Sequence, residues 1–143
     1  MCEQDQPREQ RQNTRLDTHL LSERESMPNT KLEHCIAECG NCQETCLATV
    51  AHCLTMGGRL AEAHHIRVML DCAEICQVAA NFMLRRSSLH SYVCRACAEI
   101  CDKCAQSCEA VSGDDEQMKQ CIESCHRCAD ACREMAGLNY KAA

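Results

Sequence analysis

The sequence predicts an all-α protein, an antiparallel four-helix bundle whose core is lined by cysteine. Sixteen of the 17 cysteines fall into four groups with internal spacings of three, four or seven residues. Residues at these intervals share one face of a helix. Leu, Ile, Val and Phe are only 22 of 143 residues, or 15%, below the roughly 20% under which an ordinary apolar core is difficult to build. Cysteine, which packs as a small hydrophobe, is therefore expected to supply the core.

Residues 1–29 form a polar segment rich in Gln, Arg and Glu, and they include both prolines of the chain. We expect a polar N-terminal arm outside the bundle. It has room for one short extra helix over about residues 14–25, where Leu16, Leu20 and Leu21 give a weak helical stripe. The chain starts without an apolar signal segment and contains no run of 18 apolar residues. We therefore expect a soluble, cytoplasmic protein with reduced thiols and no membrane partner.

The bundle is predicted over residues 30–137, and its first helix over about residues 31–56. Thr30 and Glu33 have the spacing of a capping box at the start of that helix, and Gly57-Gly58 stops it. The second helix is predicted over about residues 59–86.

The second half of the bundle has its own start and stop signals. Ser87-Ser88 closes the second helix and is expected to cap a third helix over about residues 88–111. The break Ser112-Gly113-Asp114-Asp115 then separates it from a fourth helix over about residues 114–136, which Gly137 ends.

Each predicted helix carries its cysteines on a single seam. These seam cysteines are Cys35, Cys39, Cys42, Cys46 and Cys53 in the first helix, Cys72 and Cys76 in the second, Cys94, Cys97, Cys101, Cys104 and Cys108 in the third, and Cys121, Cys125, Cys128 and Cys132 in the fourth. Short connections favour an antiparallel bundle, with the first and third helices running one way and the others running back. The seams then face inward and form a tube of thiols.

Sixteen thiols on four seams indicate metal binding, because Ala or Val would pack equally well without the risk of oxidation. Disulfides are disfavoured, since thiols four residues apart on one helix do not suit the bond geometry. Zinc held by four thiolates leaves two negative charges at each site, and few Lys or Arg lie on the inner seams to balance them. A monovalent ion that replaces one proton per thiol leaves the core neutral, which favours multiple Cu(I) ions. A zinc-thiolate store stays as the alternative.

Methionine and histidine are predicted at both ends of the tube. One end collects Cys53, Met56, His65, Met69, Cys108, Met118 and Cys121, and the other collects Cys35, Met83, His90, Cys94, Cys132 and Met135. These side chains suit transient capture of Cu(I), although methionine at a seam position also serves to pack the core end. We favour the end with His65 for uptake, because Glu62 lies one turn away and attracts cations.

The second predicted helix is apolar around much of its circumference. The apolar residues outside its cysteine seam are Ile66, Val68, Leu70, Ala73, Ile75, Val78, Phe82 and Leu84. One bundle cannot bury all of them, and exposed apolar patches usually mark an interface. We therefore expect a homo-oligomer that associates through this helix.

Several classes of function are disfavoured. A net charge of -6 with one Phe and two Tyr argues against a nucleic-acid partner. No nucleophile, base and orienting group stand together, so we expect no enzyme. ExxH occurs at Glu62/His65 and Glu123/His126, but His126 follows Cys125 directly and should point outward, so no di-iron site is assembled. A Cu(I) delivery chaperone is an alternative, but it needs one exposed, exchangeable site, whereas these ligands are enclosed.

Four motifs carry a resemblance to a known family. They are CIAECGNCQETC, DCAEIC, CRACAEICDKCAQSC and CIESCHRCADAC. With them the chain resembles, over about residues 31–136, the cytosolic branch of the cysteine-rich four-helix-bundle copper storage proteins. The resemblance implies a homotetramer that stores many Cu(I) ions along each core. Thr49 and His65 occupy seam positions where the fullest cysteine ladders of that family have cysteine, so a copper near each is expected to be lost or bound differently.

Overall fold

The computed structural model describes residues 30–137, which form four α-helices. The helices are α1 (Thr30–Met56), α2 (Ala63–Leu84), α3 (His90–Val111) and α4 (Glu116–Met135), with a short 3₁₀-helix (Gly58–Ala61) between α1 and α2. The described part of the chain contains no strand. The all-α prediction is confirmed, whereas the N-terminal arm, its short helix and Cys2 lie outside the described residues.

Side-chain contacts show that neighbouring helices run in opposite directions. The contacts are Cys35–Cys132 and Cys46–Cys121 between α1 and α4, and Met83–Cys94 and His65–Ser107 between α2 and α3. Contacts also join α1 to α2 and α3 to α4. The four helices therefore form the predicted antiparallel bundle around one shared core.

The connection between α1 and α2 differs from the prediction. Gly57 and Gly58 adopt left-handed φ angles of 72° and 63°, and the Gly57 N–H donates to the Cys53 carbonyl over 3.0 Å. These angles, which glycine adopts without steric cost, reverse the chain at the end of α1. The chain then winds as a tight 3₁₀ turn until Glu62, whose ψ of 137° breaks it. The second α-helix thus starts at Ala63, four residues later than predicted.

The connection between α2 and α3 contains an arginine with a left-handed backbone conformation, followed by a serine. Arg86 has a φ of 55°, and the Ser87 N–H donates back to the Phe82 carbonyl over 3.0 Å. This pattern terminates α2 two residues earlier than predicted. The Ser87 hydroxyl accepts from the Leu89 N–H over 3.1 Å. The serine therefore orders the turn, and α3 starts at His90, two residues later than predicted.

An aspartate fixes the start of α4. The Asp115 carboxylate accepts from the Met118 N–H over 3.0 Å and contacts His52 Nε2 of α1 over 2.7 Å. Aspartate at this position satisfies a helix N–H that has no partner within the helix. At the other end, Gly137 takes a φ of 72° just after α4. The predicted break and stop signals of this helix are confirmed.

Cysteine, alanine and methionine form the core. All sixteen seam cysteines have 0% of their surface exposed. The alanines buried with them are Ala73, Ala79, Ala98, Ala105, Ala129 and Ala131, and the buried methionines are Met69, Met83 and Met118. A core of these residues explains how the chain forms a bundle with so few large aliphatic side chains.

Candidate metal centre

The sixteen sulfurs form a continuous ladder along the bundle axis. Contacting Sγ atoms lie 3.6 to 4.0 Å apart, and most of these contacts join different helices. Cys53 and Cys94, toward the two ends, each contact a methionine sulfur. Cys42 of α1, for example, contacts Cys72 of α2 and Cys125 of α4, each over 3.8 Å. All sixteen are free thiols. The ladder thus places thiol groups at short intervals along the whole tube.

At least five groups of four cysteines have all their sulfurs within 4.8 Å of one another. Five of them are Cys39/Cys97/Cys128/Cys132, Cys42/Cys46/Cys72/Cys125, Cys42/Cys72/Cys76/Cys101, Cys46/Cys104/Cys121/Cys125 and Cys76/Cys97/Cys101/Cys128. Each group contains one pair spaced four residues apart on a single helix, and one cysteine from each of two other helices. The bundle thus adds partners from across the tube to a pair on one helix. Adjacent groups share cysteines, so ions bound to them would share ligands.

Burial disfavours charged thiols in the metal-free core. Contacts with neighbouring thiols and burial raise the pKa of Cys101 well above its ordinary value, and burial, followed by the charge of Asp115, raises the pKa of Cys53 to about 11. At other positions, such as Cys42 and Cys121, contacts with neighbouring thiols outweigh burial and lower the pKa. A thiolate is costly in such a site unless a cation accompanies it. A bound metal ion therefore favours deprotonation of the core thiols.

No cationic side chain lies in the core of the described residues. The buried polar residues there are Thr49, His65 and Ser124, and every described Lys and Arg is at least partly exposed. The salt bridges that Arg127 and Arg133 make are on the outer surface of the bundle. A metal that leaves excess thiolate charge in the tube would therefore have nothing to balance it.

One end of the tube, the His65 mouth, consists of Cys53, His65, Met69 and Met118. His65 is 2% exposed, with Nε2 3.9 Å from Cys53 Sγ and Nδ1 2.8 Å from the Ser107 hydroxyl. The Cys53 thiol donates to Met118 Sδ over 3.4 Å. Burial, as the largest cause, lowers the pKa of His65. The uncharged ring is therefore available as a metal ligand beside Cys53, the first thiol of the ladder.

The other end, the Met83 mouth, consists of Met83, His90 and Cys94. The Cys94 thiol donates to the Met83 sulfur over 3.8 Å, whereas His90 is partly exposed and its Nδ1 donates to the Ser87 carbonyl over 2.9 Å. The predicted gathering of methionine and cysteine is thus present. His90 begins α3, and its ring bonds back to the turn instead of contacting a sulfur.

Two predicted placements at the mouths need adjustment. Met56 is 59% exposed, because it is the last residue of α1 and points away from the tube, so its predicted place at the His65 mouth is wrong. Met135 is only partly buried.

His126 is exposed and contacts Glu109 on the outside of α3, as the sequence predicts, so no di-iron site forms from it.

The structure also shows contacts of polar residues that the sequence pattern does not predict. The Thr49 hydroxyl, at a seam position, donates to the Thr45 carbonyl over 2.6 Å and accepts from Gln117 over 3.0 Å. Ser107 contacts His65 from 42 residues away, and Ser124 is buried with no hydrogen-bond partner among residues 30–137. The serines lie directly before seam cysteines, and that adjacency was the one signal available in the sequence.

The fold and the ladder together define a class of protein, a helical bundle that encloses thiol ligands for many soft metal ions. The family model of the copper storage proteins matches residues 28–137. The chain therefore belongs to the copper storage protein family. This confirms the resemblance carried by the four cysteine motifs, and with it the assignment to Cu(I) storage.

Three solved structures are similar to this chain. A protein of Nitrosospira multiformis, Nmul_A1745, is 47% identical with a TM-score of 0.72, and the match covers 78% of this chain and 99% of that one. Cu(I)-bound copper storage protein 3 of Bacillus subtilis is 31% identical with a TM-score of 0.69, covering 74% and 98%. A cytosolic copper storage protein of Streptomyces lividans, in a form with five coppers, is 29% identical with a TM-score of 0.67, covering 76% and 93%.

Proposed function

We propose that the protein holds Cu(I) on the sixteen seam thiols, with the ions arranged in series along the bundle axis. The observation that supports this most strongly is a fully buried ladder of thiols with no buried Lys or Arg among the described residues. Each Cu(I) that replaces one thiol proton leaves the net charge of the core unchanged. Soft thiolates are also the ligands that select Cu(I).

A zinc-thiolate store is the second candidate, because each group of four sulfurs has the number of ligands that tetrahedral zinc takes. Zinc with four thiolates leaves excess negative charge at every site, and the core offers no cation against it. Adjacent groups also share sulfurs, so separate zinc ions cannot each have four thiolates of their own. The charge argument therefore favours Cu(I).

Anaerobic titration of the reduced protein with Cu(I), against a competing chelator, tests this proposal. Binding should continue to about one ion per seam thiol, or about sixteen ions. The Cys101→Ala/Cys104→Ala variant, changed in the middle of the ladder, should bind fewer ions. Saturation of the parent at four or fewer ions, or tighter binding of zinc than of Cu(I), would exclude the storage of Cu(I) on this ladder.

Copper is taken up at the His65 mouth in this proposal. His65, Met69 and Met118 are the soft neutral donors there, and the Cys53 thiol lies directly behind them. The Met83 mouth has Met83 against Cys94, but the His90 ring bonds to the Ser87 carbonyl. The His65 mouth therefore adds an imidazole beside a seam thiol.

We propose storage of Cu(I) and not its delivery to a partner protein, because every seam thiol is buried and none lies on a docking surface. The proposal includes no enzymatic activity and places the protein in the cytoplasm, where thiols stay reduced. None of the described helices is long and apolar enough to cross a bilayer.

The proposal also includes a homotetramer that associates through α2. Leu70 and Leu84 are 42% and 61% exposed, and Val68, Ile75 and Val78 line an outer groove between α2 and α3. Ala73, which the sequence assigns to the exposed apolar face, is buried in the bundle. Sedimentation analysis at micromolar concentration should show a species larger than the 16.0 kDa chain, and replacing Val78 with Asp should dissociate it. A parent protein that sediments as a monomer would contradict this part of the proposal.

A further inference from the structure

The imidazole of His65 is held at both of its nitrogens. Nδ1 lies 2.8 Å from the hydroxyl of Ser107 on α3, and Nε2 lies 3.9 Å from Cys53 Sγ on α1. The ring is 2% exposed, and Ser107 is partly buried beside it. The shorter contact is therefore on the side of the ring that faces away from the thiol ladder.

The protonation of the ring decides whether it can bind a metal ion. A neutral imidazole carries its proton on one nitrogen and a lone pair on the other. If Nε2 is to bind Cu(I) beside Cys53, the proton must be on Nδ1. A serine hydroxyl can accept that N–H, and metal-binding histidines usually donate their second nitrogen to such a partner.

The contact between Ser107 and His65 lies at the wall of a surface cavity. A surface cavity of about 520 Å³ lies outside the ring and is lined by Arg59, Glu62, His64, Lys103 and Gln106 together with Ser107. Water and the Glu62 carboxylate in this cavity would compete for the ring nitrogens. Ser107 is the side chain whose contact with Nδ1 opposes that competition.

We propose that Ser107 is a positioning residue for copper uptake, whose hydroxyl accepts the Nδ1–H of His65 and so keeps Nε2 directed toward Cys53. This inference rests on the proposed uptake of Cu(I) at the His65 mouth. Ser107 itself touches no copper. It acts through the orientation and the tautomer of the His65 ring.

Stopped-flow measurement of the first Cu(I) equivalents taken up by the full chain tests this role. Loss of such a partner commonly weakens metal binding 10- to 100-fold, so Ser107→Ala should slow early uptake by about tenfold. Ser107→Thr keeps a hydroxyl and should retain the rate of the parent. Ser112→Ala is the matched control, because that hydroxyl bonds to the Glu109 carbonyl at the end of α3 and not to His65.

A double-mutant cycle shows whether Ser107 acts through His65. In a His65→Phe background, Ser107→Ala should cause no further slowing, because the ring that it positions is gone. In the parent loaded with one equivalent of Cu(I), the nitrogen-15 shifts of His65 should show a protonated Nδ1 and a metal-bound Nε2. In Ser107→Ala these signals should report a mixture of tautomers.

The outcomes separate this inference from the proposals on which it rests. Slow uptake in His65→Phe with normal uptake in Ser107→Ala would refute the role of Ser107 alone. Normal uptake in His65→Phe would refute the His65 mouth, and the role of Ser107 with it. The capacity of Ser107→Ala should stay at about sixteen ions, because no thiol is removed. A low capacity of the parent would contradict storage itself.

Discussion

Removing the buried hydroxyl of Ser124 and removing that of Thr49 are expected to change the free energy of unfolding in opposite directions. Ser124 is 2% exposed, and its hydroxyl has no hydrogen-bond partner in the described part of the chain. A buried polar group without a partner costs about 1–3 kcal/mol, and alanine is also the better helix former by a few tenths of a kcal/mol. Ser124→Ala should therefore stabilise the metal-free protein by about 1 kcal/mol.

Thr49 is the matched control for this prediction. Its hydroxyl is fully buried, but it donates to the Thr45 carbonyl and accepts from the Gln117 amide. Thr49→Val keeps the shape of the side chain and removes both hydrogen bonds. It should destabilise the protein by about 1 kcal/mol, because the Gln117 amide loses its partner.

Denaturant unfolding of reduced, metal-free protein, followed by far-UV circular dichroism, measures both changes. All variants must be compared at one protein concentration, because association shifts apparent stability. In thermal unfolding, a change of 1 kcal/mol corresponds to roughly 4 °C for a domain of about 100 residues. A Ser124→Ala variant less stable than the parent would show that this hydroxyl has a partner in solution and would refute the reasoning.

Three further predictions follow from the mouths and the helix ends. His65→Phe should slow the uptake of Cu(I) in stopped-flow experiments and change capacity by no more than about one or two ions, whereas His90→Phe should leave the rate unchanged; slower uptake in the His90 variant would place uptake at the other mouth. Asp115→Ala should destabilise the protein by about 1 kcal/mol through loss of the α4 cap, whereas the neighbouring Asp114→Ala should have little effect; equal effects on the unfolding midpoint would contradict the capping role. The metal-free, reduced protein should already be helical, and Cu(I) should raise its melting temperature because it binds the folded state; a random-coil circular dichroism spectrum before loading would contradict this.

The pH dependence of the α4 cap has a definite sign. The hydrogen bond to His52, followed by the Met118 N–H, lowers the pKa of Asp115 below its ordinary value. The contribution of Asp115 to stability is therefore complete above the ordinary carboxyl pKa, and it is lost as the pH falls through the lowered pKa.

The sequence was sufficient for the bundle and its ladder because both depend on periodicity. Cysteines three and four residues apart must share a helix face. Gly113 and Gly137 adopt left-handed φ angles just beyond the ends of helices, as is common for glycine. The second helix, however, is shorter at both ends than the sequence predicts. Its true limits depend on the two left-handed glycines before it and on Arg86, which adopts a conformation that its residue type does not favour.

Contacts between distant residues could not be found from periodicity. Ser107 meets His65 only because α2 and α3 pack side by side with a particular register. Gln117 meets Thr49 across α1 and α4 for the same reason. Met56 has the chemistry of a copper ligand, but its position at the last residue of α1 leaves it exposed. Spacing thus predicts which face of its helix a residue occupies, whereas its partners depend on the packing of the whole bundle.

Each Cu(I) is expected to replace a single thiol proton and to leave the core neutral. A pH-stat measures the protons released per metal ion during anaerobic loading of the reduced protein at neutral pH, because metal binding to thiols displaces their protons. About one proton should be released per Cu(I), at a constant ratio until the seam thiols are filled. Release of about four protons per ion, ending after a few ions, would show separate four-thiolate sites with charge left in the core and would contradict this one-for-one exchange.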